Sequence, residues 1–236
     1  MQKKIWIVII GIIIICCVLG AVIYKAMGEK DVSQEELIKS LLHLTLIDEQ
    51  GVEHFGSGYI LEIDQDNVYI CSNAHVLYVA EQGKAYFYDG EQAEFTCLGY
   101  DEIHDVGIAV IEKTAIAEKT LSQLQKIPVS KKRWELFLQE GGALSLTLLG
   151  KEGVVETKSG QAVGFVTNKY FEDIVLEMTI PLVAGNSGSA IVDEKGYLVG
   201  MAIGEVREIG FDLQYFAAPL DDIAEVYEVL TGNKLY

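Results

Sequence analysis

A serine nucleophile is the chemistry that the sequence indicates first. Ser187 lies in the segment GNSGSA at residues 185–190, with glycines at positions 185 and 188. Glycine permits a tight backbone turn and leaves little bulk around the hydroxyl. The hydroxyl could therefore reach a carbonyl carbon, and the backbone N–H groups of Gly185, Asn186 and Ser187 are candidate donors of an oxyanion hole. An unassisted serine is a weak nucleophile, so this hypothesis needs a base and an orienting acid.

Two upstream residues are candidates for that base and acid. His75 follows the apolar run VYIC at residues 68–71, and Asp105 opens the run DVGIAVI at residues 105–111. A histidine can take the serine proton, and a carboxylate can hold its ring in the productive tautomer. The chain order His, Asp, Ser is that of the chymotrypsin-type hydrolases and differs from the subtilisin and α/β-hydrolase orders. Each residue alone has an ordinary structural explanation, so the prediction rests on their order and context.

At these residues the sequence resembles the trypsin-like (chymotrypsin-fold) serine proteases, specifically the bacterial Deg/HtrA type. The resemblance covers about residues 40–230 and includes the segments GSGYI at 56–60, YICSNAHVL at 69–77, DG at 89–90, LGYD at 98–101 and FAAP at 216–219. It implies a serine endopeptidase that acts on proteins or peptides. It also implies two six-stranded antiparallel β-barrels, with His75 and Asp105 in the first barrel and Ser187 in the second.

The sequence departs from the family pattern at several points. Ser189 stands where the family usually has a second glycine, and Gly107 stands where an apolar residue often follows the acid. We expect no PDZ domain, and therefore neither peptide-gated regulation nor PDZ-built cage assembly. The complete candidate triad favours an enzyme. Ser189 leaves room for a second interpretation, a catalytically silent trypsin-fold module that binds or senses while tethered to the membrane.

The resemblance also suggests a substrate pocket. Pro181 lies six positions before Ser187, where related pockets place their floor, and Ile203, Gly204 and Glu205 would form another wall. This lining is apolar and contains no buried acid, which disfavours lysine or arginine at the cleaved position. We expect a small or medium apolar side chain there, such as Val, Ala or Leu.

Asn186 bears on how activity is controlled. Many digestive-type relatives have an aspartate at this position, which pairs with a newly cleaved N-terminal amine. A neutral amide cannot form that charge pair. We therefore expect activity to depend on ordering of the loops around the site and not on clipping of a zymogen.

A membrane anchor is predicted at the start of the chain, over residues 1–30. Residues 5–24 are twenty consecutive residues without a formal charge. A helix rises about 1.5 Å per residue, so this run can cross a hydrocarbon core of about 30 Å. The alternative is a cleaved signal peptide, whose apolar region is normally about 7–15 residues and ends at a small-residue cleavage site. The run here is longer and no clean Ala-x-Ala follows, which favours an uncleaved single-pass anchor.

The orientation of this anchor is less clearly marked in the sequence. Lys3 and Lys4 precede the apolar run, and Lys25 and Lys30 follow it. Cytoplasmic flanks are usually richer in basic residues, and acidic residues count little in this rule. The free N-terminal amine and the resemblance to membrane-tethered proteases favour a cytoplasmic N-terminus and an extracytoplasmic catalytic domain in the cell membrane. The inverted orientation, a cytoplasmic signalling protease, stays as an alternative.

Charge excludes one class of partner. Four of the 18 Lys and Arg residues and one of the 35 acidic residues lie within residues 1–30, so the remainder carries a formal charge of −20. Such a surface repels phosphate backbones and anionic lipid head groups. We therefore expect no nucleic-acid binding, and we interpret the charge as a contribution to solubility.

The cysteines and the other histidines indicate no metal site, and we expect no metal or other cofactor. Cys71 and Cys97 fall in two apparent strands of one half, and we favour two buried thiols over a disulfide between them. The remaining histidines outside the triad lack metal-ligand spacing and are interpreted as surface or structural residues; they are His43, His54 and His104. Two further acids could in principle serve the triad, but they fall in a turn and a hairpin, which disfavours them; they are Asp101 and Asp193.

The elements that must position these residues are mostly short strands. Ser33 and Glu36 form a capping-box pattern for a short helix to about Leu42, within a helix and linker segment at 31–43. Beyond it we expect a protease domain at 44–236, with a first barrel at 44–112, a connection at 113–126, a second barrel at 127–219 and a terminal helix at 220–230. The strands of the second barrel are predicted at residues 144–149, 153–157, 161–167, 174–179, 189–192, 197–203 and 215–218.

Overall fold

The computed structural model describes residues 29–171, 173–207, 210 and 212–236. Residues Val32–Tyr236 form one compact structural unit. The predicted anchor at residues 5–24 lies outside the described residues. Within the described residues, no helix combines the length and the apolar character needed to cross a bilayer.

The first half of this unit is a closed antiparallel barrel of six strands. On the first strand, Leu42, Leu44 and Leu46 alternate along the chain and are buried together in the barrel interior, as the two-residue period of a strand requires. The strands pair in the order β1-β2-β3-β6-β5-β4. They are β1 (Leu41–Ile47), β2 (Glu53–Ile63), β3 (Asn67–Ser72), β4 (Gln82–Tyr86), β5 (Gln92–Asp101) and β6 (Val106–Glu112).

The second half is another closed antiparallel barrel of six strands, in the order β10-β11-β12-β9-β8-β7. Its interior continues into a cluster that includes Tyr59, Cys71, Val106 and Ile108 from the first barrel. The two barrels therefore share packed apolar surface, and the predicted two-barrel fold is confirmed. The strands are β7 (Ala143–Leu149), β8 (Val155–Asn168), β9 (Asp173–Met178), β10 (Ala190–Asp193), β11 (Leu198–Val206) and β12 (Gln214–Pro219).

Short helices connect and close the barrels. The capping box predicted at Ser33 and Glu36 is present, with each side chain bonding the other residue's backbone N–H. The terminal helix covers the expected region and ends at Gly232 in the left-handed conformation, which glycine adopts at low cost. The helices are α1 (Gln34–Ile38), α2 (Ala74–Leu77), α3 (Glu118–Leu121), α4 (Lys131–Glu140) and α5 (Leu220–Thr231), with a 3₁₀ turn at Lys113–Ala115.

The observed elements differ from the sequence predictions in three places. Helix α1 ends at Ile38, where the buried Ser40 hydroxyl donates to the Leu37 carbonyl, and β1 begins within the segment expected to be linker. Helix α4 occupies a segment that was assigned to the second barrel. The predicted strands 153–157 and 161–167 are one strand, β8, because Gly160 makes room for Thr179 and Ile180 and does not interrupt the pairing.

Candidate active site

His75 and Asp105 lie side by side at one end of the first barrel. His75 is on α2, directly after β3, and Asp105 immediately precedes β6, the strand paired with β3. The Nδ1 atom of His75 is 2.8 Å from Oδ2 and 3.0 Å from Oδ1 of Asp105. The ring is 43% exposed and the carboxylate 13%. The imidazole therefore faces solvent on one side while the acid holds its inner nitrogen.

The backbone of Asp105 is shaped to deliver this carboxylate. Its φ of 53° is the one positive value at a non-glycine residue in the part of the chain that the structure describes. Aspartate tolerates this left-handed conformation better than most residues. The side chain of buried Asn73 donates to the Asp105 carbonyl at 3.0 Å, and Asp105 Oδ1 accepts the His75 backbone N–H at 3.0 Å. The acid thus fixes both the ring of the base and the start of its helix.

Gly107 on β6 departs from the family pattern, and close packing against this strand explains why a glycine stands there. A Cβ atom at this position would lie 2.9 Å from Cδ1 of Leu77 and 3.1 Å from Cβ of Tyr100. Leu77 is the last residue of α2, so the missing side chain lets the helix that carries His75 pack closely against β6.

The loop that carries Ser187 is bound to the first barrel through its backbone. Ser57 on β2 donates its N–H to the Ser187 carbonyl at 2.8 Å and its hydroxyl to the Gly185 carbonyl at 2.8 Å. On the other side of the loop, Gly188 N–H donates to the Ala202 carbonyl at 3.0 Å. These bonds bring a residue of the second half against the barrel that carries the base.

Gly188 must be a glycine for this docking to occur. Its φ is +84°, and a Cβ atom there would lie 2.0 Å from the Ser57 carbonyl oxygen and 2.5 Å from the Ser72 hydroxyl. Both the left-handed backbone and the close approach exclude a side chain. The glycine that the sequence placed beside the nucleophile therefore shapes the contact between the two barrels.

The hydroxyl of Ser187 donates to the carbonyl oxygen of Ile203 at 3.1 Å. Among the described residues, no hydrogen bond links it to His75 in this state, so that bond stays a prediction. Ile203 nevertheless lines the same groove as His75. The groove has a volume of about 490 Å³ and is lined by His75, Glu102, Ile103, Asp105, Tyr170, Phe171, Ile203, Gly204 and Glu205.

Two of the predicted site residues take other positions. The backbone N–H of Asn186 donates to the Val183 carbonyl at 3.0 Å and closes a turn, so it is not a free oxyanion donor. The amides of Gly185 and Ser187 stay as the predicted donors. Pro181 is exposed and does not line the groove that contains Ile203, Gly204 and Glu205, so its prediction as a pocket floor is not supported by this groove.

Comparison with known proteins agrees with this architecture. The family model described as a trypsin-like peptidase domain matches residues 56–201, which is more than half of the chain. The chain belongs to the trypsin-like peptidase family. Among its relatives are the serine protease Do-like HtrB of Bacillus subtilis, 27% identical over 181 residues, and an HtrA-like serine protease of Staphylococcus aureus, 22% identical over 190 residues.

The trypsin-like peptidase matches only part of these relatives. The alignments cover 75% and 78% of this chain but 38% and 24% of the two relatives. Solved structures with the same fold include the HtrA-type protease AlgW with a tripeptide, with a TM-score of 0.66 and 18% identity over 86% of this chain and 65% of that chain. The active form of the Rv3671c protease from M. tuberculosis has a TM-score of 0.63 and 16% identity, over 83% and 82%.

A second histidine of the peptidase domain has partners that the sequence did not reveal. His104 Nδ1 lies 2.6 Å from Asp173 Oδ2 and 3.8 Å from Asp222 Oδ2. Burial raises the pKa of Asp222 to about 6, against the opposing effect of His104. Burial lowers the pKa of His104, but the hydrogen bond to Asp173 and the nearby carboxylates outweigh it, so this pKa is raised.

The three side chains of this cluster form a candidate metal-binding arrangement, since one ligand atom from each lies within 4.8 Å of the others. From the sequence, His104 is interpreted as a surface or structural residue because its spacing suggests no metal ligands. Its two partners come from distant elements, since Asp173 begins β9 and Asp222 lies on α5.

The two cysteines in the described residues are free thiols, as favoured from the sequence. Cys71 is buried with its Sγ 3.8 Å from Sδ of Met201, and burial raises the pKa of its thiol to about 12. Cys97 is partly exposed. Neither thiol is placed to act as a nucleophile in the groove.

The two rejected acids of the peptidase domain have structural roles. Asp101 Oδ1 accepts the backbone N–H groups of Ile103 and His104 in the turn before Asp105. Asp193 is buried and pairs with Arg133, whose Nε donates to it at 2.7 Å. Both carboxylates are therefore occupied away from His75.

Proposed function

We propose that this chain is a membrane-anchored serine endopeptidase in which His75, Asp105 and Ser187 form the catalytic triad. The observation that carries the proposal is the contact of both Asp105 oxygens with Nδ1 of His75. The groove there is also lined by Ile203, whose carbonyl accepts the Ser187 hydroxyl. Serine protease relatives of the HtrA type support the reaction class.

The contact with Asp105 determines what the other ring nitrogen can do. A carboxylate at Nδ1 accepts a hydrogen bond from the Nδ1–H group, which leaves the Nε2 lone pair available in the neutral imidazole. In the reaction, the Ser187 hydroxyl leaves the Ile203 carbonyl and transfers its proton to Nε2, which makes His75 an imidazolium. Its oxygen then bonds to the substrate carbonyl carbon, and the carbonyl π electrons move onto the oxygen.

The remaining steps follow from where the charge and the proton then lie. The backbone N–H groups of Gly185 and Ser187 donate to the new oxyanion, while Asp105 stabilises the imidazolium of His75. The imidazolium transfers its proton to the amine nitrogen as the C–N bond breaks and the acyl-enzyme forms. A water molecule then repeats the sequence in the place of the serine and releases the carboxylic acid.

The lining of the groove supports a preference for apolar residues at the cleaved position. Ile103, Phe171 and Ile203 give it apolar walls, and the carboxylate of Glu205 is exposed. The other acids of the lining are Glu102, which is exposed, and Asp105, which is paired with His75, so neither is a buried, unpaired partner for lysine or arginine. A peptide-library digest is expected to show cleavage after small or medium apolar residues, and a strong preference for arginine would contradict this.

We further propose that residues 5–24 anchor the domain with its N-terminus in the cytoplasm and the peptidase outside the membrane. The uncharged twenty-residue run supports the anchor. Protease shaving of intact cells is expected to remove the domain. A tag on the cytoplasmic N-terminus should stay protected as long as the cells are not lysed. Protection of the domain in intact cells would instead indicate the inverted orientation.

Casein hydrolysis by the full chain tests the catalytic proposal. Wild type is expected to cleave casein, and Ser187→Ala is expected to lose cleavage while keeping its circular dichroism spectrum and melting temperature. Equal cleavage by both proteins would contradict the role of Ser187. A folded wild type without activity on casein or on a peptide library would favour the catalytically silent module.

A further inference from the structure

A lysine of the second barrel contacts the turn that precedes the nucleophile. Lys158 lies on β8, opposite Leu146 of β7. Its Nζ donates to Oδ1 of Asn186 at 2.8 Å and to the Pro181 carbonyl at 3.2 Å. The side chain is 17% exposed, which is low for a lysine, since this residue usually keeps its ammonium group in water.

Asn186 in turn holds the loop together from within. Its Oδ1 accepts the backbone N–H of Val183 at 3.0 Å, and its own N–H donates to the Val183 carbonyl. The residue is only 3% exposed. One buried amide oxygen therefore joins the start of the turn to the ammonium of Lys158, which is fixed on a strand outside the loop.

This arrangement bears on the two backbone amides that the mechanism requires. Gly185 and Ser187 flank Asn186, so the direction of their N–H groups depends on how the Asn186 side chain is held. Gly185 has a φ of +90° and can adopt many other backbone conformations. A bond from a charged donor to a buried acceptor is stronger than a neutral one, so the ammonium selects one conformation of this turn.

We propose that Lys158 is a positioning residue that orders the oxyanion-hole turn through Asn186, so that a newly cleaved N-terminal amine is not needed. The side chain of Lys158, within the same domain, provides the cationic amine, and the side-chain oxygen of Asn186 is the neutral acceptor for it. This inference rests on the proposed function, because it concerns the rate of the same site.

Kinetics on Lys158 variants give the first test. Lys158→Met keeps most of the apolar stem and removes the donors; it is expected to lower kcat for a peptide substrate by about 10²–10³-fold, the effect of losing one oxyanion donor, with KM changed less. Lys158→Arg, which restores a cationic donor, is expected to recover at least a tenth of the wild-type kcat.

The matched control is Lys151→Met. Lys151 is about half exposed, pairs with Glu53 and does not contact the turn, so this variant is expected to keep the wild-type kcat. Equal kcat values for wild type and Lys158→Met, or equal losses in the Lys158 and Lys151 variants, would overturn the proposal.

Hydrogen exchange followed by mass spectrometry separates failure of this inference from failure of the proposed function, because it needs no activity. In a Ser187→Ala background, Lys158→Met is expected to speed exchange at least tenfold in peptides covering residues 181–189, with peptides from β2 and β3 unchanged. Unchanged exchange at 181–189 would overturn the ordering role, whether or not the wild type hydrolyses peptides.

If Lys158→Met does not fold, Lys158→Gln serves in both measurements, since it keeps a neutral donor on a shorter stem. Its expected kcat is lower than that of wild type and higher than the value expected for Lys158→Met. A kcat and an exchange rate equal to those of wild type would count against a need for the ammonium.

Discussion

The two barrels hold their parts of the candidate site in different ways. In the first barrel, the base is positioned by a side chain, since both oxygens of Asp105 contact the His75 ring. In the second, the nucleophile is positioned through the backbone of its own loop, to which the N–H and hydroxyl of Ser57 and the carbonyl of Ala202 are bonded. The first arrangement depends on one carboxylate, and the second on the conformation of a whole loop.

This difference explains where substitutions should act. Replacing an atom of the Asp105 carboxylate should change the chemistry while leaving the fold intact, because the barrel strands beneath it do not depend on that charge. Replacing a loop glycine should change stability and chemistry together, because the loop also joins the two barrels.

Asp105→Asn is expected to lower kcat by about 10⁴-fold, because an amide can favour the wrong tautomer of His75. The melting temperature should change little. Steady-state hydrolysis of a peptide ester and a thermal melt measure the two effects.

Asp101→Asn is the control for this substitution, since that carboxylate bonds only backbone N–H groups among the described contacts. It is expected to keep kcat within a few fold of wild type. A comparable loss in both variants would show that the base does not depend on Asp105 in particular.

Gly188→Ala is expected to lower the free energy of unfolding by about 4 kcal/mol or more, or to prevent folding, because the new Cβ meets the Ser57 carbonyl and a left-handed backbone. Gly90 has the same φ of +84° and open space around it. Gly90→Ala should therefore cost only about 1–2 kcal/mol, the backbone part alone. Urea unfolding of both variants measures the difference, and similar values would contradict the steric account.

The free energy of unfolding should depend on pH through Asp222. Its pKa is raised from the ordinary 3.8 to about 6, so the folded state binds more protons than the unfolded state between these values. The stabilisation from this group is complete below its unfolded pKa and is lost as pH rises through about 6. A shift of this size corresponds to about 3 kcal/mol at most, and solvent screening of the partly exposed carboxyl reduces it. We therefore expect the stability of wild type relative to Asp222→Asn to fall by about 1–2 kcal/mol between about pH 4 and about pH 7.

The raised pKa of His104 acts in the same direction at higher pH. Urea unfolding of both proteins across this range measures the shift. A difference that stays constant with pH would contradict the burial of the Asp222 carboxyl.

Ser189→Ala is expected to raise the free energy of unfolding by about 1 kcal/mol, because the Ser189 hydroxyl is buried without a hydrogen-bond partner among the described residues. Ser72 is an equally buried serine whose hydroxyl donates to the Ser57 carbonyl at 2.7 Å. Ser72→Ala should therefore lower the free energy of unfolding by about 1–2 kcal/mol. If both variants changed the free energy of unfolding in the same direction, the Ser189 hydroxyl would not be a buried, unpaired group.

The sequence predicted those features that depend on local pattern. Alternating apolar residues predicted the strands, the Ser33 and Glu36 pair predicted the start of α1, and Asp89 and Gly90 marked the turn between β4 and β5. The two barrels and a site shared between them were implied by the family resemblance at the three candidate catalytic residues, and the groove is lined by residues of both barrels.

Features that depend on distant contacts were missed. Lys158 and Asn186 are 28 residues apart, and His104 and Asp173 are 69 apart, so no spacing in the sequence joins them. Helix α4 was missed although Ser130 caps it and Trp134 and Phe137 are spaced to bury one face. The inward turn of the Asn186 amide depends on the fold of the loop and has no sequence signal.

Labelling of the full chain with a fluorophosphonate tests whether Ser187 is an activated nucleophile, because the probe bonds to an activated serine oxygen and releases fluoride. We expect stoichiometric labelling of wild type at Ser187, identified by peptide mass spectrometry, with slow labelling of Asp105→Asn and none of Ser187→Ala. A folded wild type that stays unlabelled, or a label that persists in Ser187→Ala, would contradict this expectation.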